Sequence, residues 1–140
     1  TEADFEHHLW RHIQALHDLD TVSGCPWASG VSDDPGSENF SMSLAGHAYF
    51  IVGLHPGGSR AARRFSRPLI AFNSHIQFER LRADGRYDRM QEIIRHRDRT
   101  ANGDVNPMLG NHGRKPQAPQ FSGRIVSPDW NCPLKIRTPR

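Results

Sequence analysis

The chain has 140 residues, a formal net charge of +3 and 36% hydrophobic residues, which fits one domain with a thin core rather than several domains. No run of about 18 apolar residues is present, which excludes a membrane-spanning helix, and no basic start followed by an apolar stretch marks a secretory signal. Two cysteines are too few for a disulfide framework and suit a reducing compartment, so a cytoplasmic protein without membrane attachment is expected.

Along the chain, residues 4–20 predict a helix. Phe5, Leu9, Ile13 and Leu16 line one face at helical spacing, with His12 near that stripe and His7 pointing away. Residues 21–39, rich in Gly, Ser, Pro and Asp, predict a long irregular connection, a length that usually carries function or disorder. Phe40, Met42 and Leu44 alternate with Ser41 and Ser43, the period of a half-buried strand. A turn at Ala45, Gly46 and His47 would lead into the β-rich run Tyr49-Phe50-Ile51-Val52, a strand covered on both faces, and the two would form a hairpin. Residues 68–73, PLIAFN, are a third strand candidate. Helix formers follow over 76–82, Asp84-Gly85 breaks the chain, and a further helix runs over 87–99 with Tyr87, Met90 and Ile94 on one face. Residues after Thr100 are expected to be loop.

The stretch GLHPGGSRAARRF (53–65) is the richest in chemistry. A strand delivers His55 to its own end, and Gly57-Gly58 let the backbone approach a ligand. If helical, Arg60, Arg63 and Arg64 share one face, and guanidinium forks suit carboxylate or phosphate. A histidine beside such a face suits haem, with imidazole on iron and guanidinium on the propionates; the plainer alternative is a solvated turn and a basic surface helix. His75, just past the third strand, is a second candidate, or a helix-start histidine bonded to nearby backbone. His8 and His12 have the i, i+4 spacing that can hold one metal ion, but no HExxH pattern. Cys25 and Cys132 each precede a proline; a thiolate there could ligate haem, or both are packed loop cysteines. No P-loop, dinucleotide or serine-hydrolase spacing is present, and the basic clusters lack the aromatic interleaving of a nucleic-acid surface.

The ordered series GLHPGGSRAARRF, FNSHIQFERLR (72–82), IRHRDRTANGDVNPML (94–109), QFSGR (120–124) and Trp130-Asn131-Cys132-Pro133 resembles the YqcI/YcgG-like family. In particular it is similar to the branch of haem-dependent N-hydroxylases of amines and guanidines. The helix around Phe5 and the Trp27-Ala28-Ser29-Gly30-Val31 loop extend the resemblance over nearly the whole sequence. Typical members are longer, with an N-terminal portion beyond this sequence, and their S-E-x-x-Q-Y-S-G-R stretch reads PQAPQFSGR (116–124) here, without the carboxylate and the phenol.

The resemblance implies haem b as cofactor. His55 would be the proximal, metal-binding ligand, and His75 its competitor or the distal group. Arg60, Arg63 and Arg64 would bind the propionates, and Asn106, Gln120 and Arg124 would line the distal side. The expected architecture is a single α+β haem-binding domain over 1–140: a small mixed or antiparallel sheet, two or three flanking helices and long irregular loops wrapping the ligand. The expected activity is oxidation of a small amine or guanidine with dioxygen or peroxide, the iron carrying the chemistry. A homodimer that shields the cofactor fits a group of that size in so short a chain. The alternatives are a non-catalytic haem-binding or gas-sensing module, and a basic nucleic-acid interaction domain using residues 60–67.

Overall fold

The structure is a computed structural model that describes residues 1–102 and 117–137. The chain begins with helix α1 (Glu2–Val22). Thr1 caps it: its hydroxyl accepts from the Asp4 N–H at 3.1 Å, and the Asp4 carboxylate reaches back in a capping box. Ser23 and Gly24, the latter at φ 76°, end it, since glycine enters the left-handed region without a Cβ penalty. These caps carry the helix two residues beyond each predicted end.

Residues 23–39 are irregular, with one short bridge between Ser32 and Phe40. Three antiparallel strands then form an open sheet in sequence order: β1 (Met42–Leu44), β2 (His47–Leu54) and β3 (Leu69–Ser74). The β1–β2 turn places Ala45 at φ 52° and Gly46 at φ 78°, the two positive dihedrals that a tight two-residue hairpin requires. His47 therefore starts β2 opposite Leu44 rather than belonging to the turn. The β2–β3 register runs from Tyr49 opposite Ser74 to Leu54 opposite Leu69. A turn of 3-10 helix (Ala61–Arg63) lies between these strands. Helices α2 (His75–Ala83) and α3 (Tyr87–Asn102) follow, and a second 3-10 turn spans Ala118–Gln120. The fold is a small α+β fold, with a three-stranded antiparallel sheet and three helices among the described residues.

The core forms where α1 meets β1, β2 and the 117–123 segment. Leu9, Ile13, Phe40, Met42, Ile51 and Phe121 are fully buried. The Phe121 ring touches Trp10 at 5.6 Å, Phe50 at 5.6 Å and Phe40 at 6.2 Å between centroids, pairs that add to the burial of their area. Two apolar expectations need correction. Leu16 is 37% exposed: it lies at the flank of the α1 stripe, whose middle passes through Leu9, Ile13 and the buried His17. On α3, Ile93 and Ile94 are exposed and Met90 is only half-buried, so periodicity placed a face there that the described residues do not cover. On β2, Ile51 is buried while Tyr49, Phe50 and Val52 are partly so; cover on both faces is incomplete because helices pack on only part of the sheet.

Gly53 is a contact point rather than a turn. A Cβ there would sit 2.7 and 2.9 Å from two Phe5 ring carbons and 3.0 Å from the Phe121 carbonyl oxygen. Gly53→Ala should destabilise the protein by about 1–3 kcal/mol, the range for overpacking, read as a lowered urea midpoint at unchanged m-value. An unchanged midpoint would mean that α1 does not lie so close to β2.

Candidate functional site

His55 follows the last residue of β2, and the next ten residues fold back to hold its backbone. Its N–H donates to the Arg63 carbonyl at 3.1 Å, and its carbonyl accepts from Phe65 at 3.3 Å and Gly58 at 3.4 Å. The ring stacks on Phe5, with centroids 4.3 Å apart and planes 19° apart. Gly53 in β2 and His55 just past its end both meet the Phe5 ring; the missing Cβ of Gly53 makes room for the ring that lies against the histidine. Phe5 is thus a positioning residue for His55, a role its place in an apolar stripe did not distinguish from ordinary core packing.

His55 is 5% exposed. Its burial lowers the imidazole pKa below the usual histidine value, with Glu2 pulling weakly the other way. Among the described residues neither ring nitrogen takes part in a hydrogen bond. At neutral pH the ring therefore carries a lone pair that no described residue takes up, the state a metal ligand requires.

Beside it lies a groove of about 770 Å³ between the first three turns of α1 and the β2–β3 end, a size typical of small-molecule and cofactor sites. Phe5, Leu9, Leu69 and Ile70 make its wall apolar, and His8 and His12 stand at its edge. His12 is oriented by its own helix, Nδ1 donating to the His8 carbonyl at 2.8 Å. Among the described residues no cluster of three or more His, Cys, Asp or Glu side chains could hold an ion, so the i, i+4 pair His8 and His12 gains no third protein ligand.

The arginines do not form the expected shared face. Residues 61–63 make a single 3-10 turn instead of an α-helix, and the side chains of Arg63 and Arg64 part. Arg60 and Arg63 are buried, and Arg64 is exposed. The Arg63 guanidinium turns inward and donates to the carbonyls of Gln120 at 2.8 Å and of Gly53 and Phe121 at 3.3 Å each. Arg64 donates to its own loop, to Gly58 at 2.7 Å and Ser59 at 3.0 Å. Those donors are engaged by backbone and do not point together at a carboxylated ligand.

His75 opens α2 with its Nδ1 3.4 Å from the Ser41 hydroxyl. It is at the opposite end of the β2–β3 ladder from His55: the register takes five steps from Leu54/Leu69 to Tyr49/Ser74, about 17 Å at ~3.3 Å per residue. That separation is too long for one iron to take both imidazoles as axial ligands. The expected distal set is also dispersed. Gln120 is buried, with its Nε2 3.5 Å from Gln117 Oε1. Arg124 pairs with Glu6, which holds its guanidinium more firmly in the charged form. Neither lines the groove, and Asn106 lies outside the described residues. Burial pushes the Cys132 thiol up to about 11, so without a metal it stays protonated at neutral pH, and Cys132 does not line the groove.

Sequence reasoning passed over two buried polar residues on α1. Glu6 accepts from Arg124 and, through Oε1, from Trp130 Nε1 at 2.8 Å. His17 accepts at Nε2 from the Arg137 N–H at 2.8 Å. The available signal was their position inside the apolar stripe, since a charged or titratable group at a core-facing position needs a partner.

Arg63→Ala should cost at least about 2 kcal/mol, because it removes charged hydrogen bonds and strands buried carbonyls. Arg64→Ala should cost less than about 1 kcal/mol; equal losses in denaturant unfolding would contradict the division of roles. Phe5→Ala should return the His55 pKa toward the ordinary histidine value, as water regains the ring and the charged form is penalised less. Histidine NMR titration reads this directly, and an unmoved His55 would show that Phe5 does not shield it.

The sequence model of the YqcI/YcgG family matches residues 1–135. No curated protein and no solved structure gives a significant match. A match over that span, together with the series of motifs from Gly53 to Pro133, shows that the chain belongs to the YqcI/YcgG family.

Proposed function

We propose that this protein binds haem b in the groove between α1 and the β2–β3 end, with His55 on the iron, and oxidises a small nitrogen-containing substrate, an amine or a guanidine. The observation that carries the reading is the state of His55: buried, uncharged, free of hydrogen bonds at both ring nitrogens among the described residues, and beside an apolar groove. A flat apolar macrocycle with one axial nitrogen ligand fits that wall and that imidazole. In this reading its carboxylates meet His8 and His12, which line the groove, instead of Arg63 and Arg64. The substrate class comes from the resemblance of the 53–65 and 72–82 stretches to the N-hydroxylase branch.

Haem, when bound, would supply the oxidation chemistry with dioxygen or peroxide. The chain's own contributions are simpler. The 56–65 loop fixes the backbone of His55, Phe5 fixes its ring and excludes water, and Leu9, Leu69 and Ile70 keep the groove apolar. A specific observation also favours a second reading, a haem-binding or gas-sensing module without turnover: His75, Gln120 and Arg124, chosen for distal chemistry, lie away from the groove. The nucleic-acid alternative has only Arg64 and Arg67 exposed within residues 60–67, since Arg60 and Arg63 are buried.

Haemin titration followed at the Soret band should show one site per chain. His55→Ala should lose the coordinated spectrum and regain part of it with added imidazole, while His75→Ala should keep it. The loaded protein, given reductant and dioxygen, should convert a member of a panel of amines and guanidines to its N-hydroxylated product. No haem uptake at micromolar concentration would overturn both haem readings; tight uptake without product would select the module.

A further inference from the structure

The flank of α1 turned away from the groove is covered by the chain's own C-terminal segment. At 100° per residue, the groove-lining positions 5, 8, 9 and 12 and the positions 6, 14, 17 and 18 fall on opposite sides of the helix. The second set binds residues 130–137. Trp130 Nε1 donates to Glu6 Oε1 at 2.8 Å. Gln14 reads the backbone of Lys135 with both ends of its amide, Oε1 accepting from the N–H at 2.7 Å and Nε2 donating to the carbonyl at 3.0 Å. Arg137 donates its N–H to His17 Nε2 at 2.8 Å and its Nε to Asp18 Oδ1 at 2.7 Å. Leu134 is buried in the core, and Trp130, Cys132 and Ile136 pack against it. The segment is a strap whose inner side completes the core.

One of these anchors works in a single protonation state. His17 Nε2 accepts a hydrogen bond, so it must keep its lone pair, and the ring proton sits on Nδ1. His17 is 2% exposed, and that Nδ1 is buried with no hydrogen-bond partner among the described residues. A second proton would put an N–H on Nε2 directly against the Arg137 N–H, donor facing donor, and a charge into a buried site. We propose that His17 and residues 130–137 form a pH-sensitive latch, closed on the neutral imidazole and released when it is protonated. This inference stands apart from the haem reading.

The groups that face His17 set the direction. Asp18 and Asp20 on its own helix favour the imidazolium, Arg137 on the strap opposes it, and Trp27, whose ring meets it edge-on at 5.9 Å, brings no charge. Burial is the largest influence and lowers the pKa below the ordinary 6.5. With the strap open the histidine titrates near that ordinary value, so the open state binds more protons than the closed one. Closure is therefore favoured fully above about pH 6.5. It weakens as the pH falls from there through the lowered value of the closed state, by at most about tenfold in the closing equilibrium per pH unit for one group.

Amide hydrogen exchange of the full chain, corrected for the intrinsic pH dependence of exchange, tests the latch. Protection over 130–137 should fall between pH 7.5 and pH 5.0, by up to about thirtyfold for one group titrating from about pH 6.5, while the β2–β3 ladder keeps its protection. In His17→Gln the side-chain carbonyl can replace Nε2 as acceptor without titrating, so strap protection should become independent of pH. Equal protection at the two pH values in the unmodified protein, or the same loss in His17→Gln, overturns the proposal. If His17→Gln fails to fold, NMR titration of His17 in the unmodified protein decides: a pKa below the ordinary value supports the latch, and one at or above it overturns the latch.

Discussion

The guanidinium of Arg63 is the junction on which the site depends. Three stretches converge on it: the end of β2 through Gly53, the 56–65 loop that carries Arg63 itself, and, far away in sequence, the turn at 117–123 through Gln120 and Phe121. The Gly53 N–H donates to the Phe121 carbonyl at 2.7 Å across the same junction. Glycine at 58 and 123 is a condition of this arrangement, since a Cβ at either would come within 3.0 Å of Arg63 atoms. A buried charge is costly unless it is fully hydrogen-bonded. Carbonyls gathered from two segments are what make the burial tolerable, and they tie those segments to the Arg63 loop in return. His55 inherits its rigidity from this junction, because its own N–H is held by the Arg63 carbonyl.

Helix α1 is the second organising element, and it serves two opposite surfaces. One flank supplies Phe5, Leu9 and the edge histidines to the groove. The other holds the strap through Glu6, Gln14, His17 and Asp18, while the middle of the helix presents Trp10 and Ile13 to the core. A chain with a thin supply of hydrophobic residues thus uses one amphipathic helix as wall, core and anchor. Polar side chains on α1 perform by specific hydrogen bonding what a larger apolar surface would otherwise do.

Groove and strap also share a chemical theme. Both His55 and His17 are buried against an aromatic ring, and burial holds both neutral. They differ in what the second nitrogen does: the nitrogens of His55 make no hydrogen bond among the described residues, whereas His17 commits Nε2 to the strap. The same physical cause, desolvation of imidazole, therefore yields a ligand-like group in one place and a titratable latch in the other.

Much of the fold was legible in local sequence. The 3.6-residue period of Phe5, Leu9 and Ile13 marked α1, alternation through Met42 and Leu44 marked β1, and Ala45-Gly46 marked the hairpin, because these signals act between near neighbours. His55 was legible as a strand-end histidine hemmed by Pro56 and Gly57, and the motif series marked the family. What the sequence could not determine was direction. Arg60, Arg63 and Arg64 have helical spacing, yet a single 3-10 turn and the pull of distant carbonyls bury Arg63 and leave Arg64 outside. His55 and His75 look equivalent as residues at strand ends, but the antiparallel register puts them at opposite ends of the sheet. Glu6 and His17 look like polar interruptions of an apolar stripe until residues 124–137, over a hundred positions away, arrive to pair with them. Local pattern fixes which atoms a segment can present; only tertiary packing decides which buried donor meets which acceptor, and the cost of leaving either unpaired selects the arrangement.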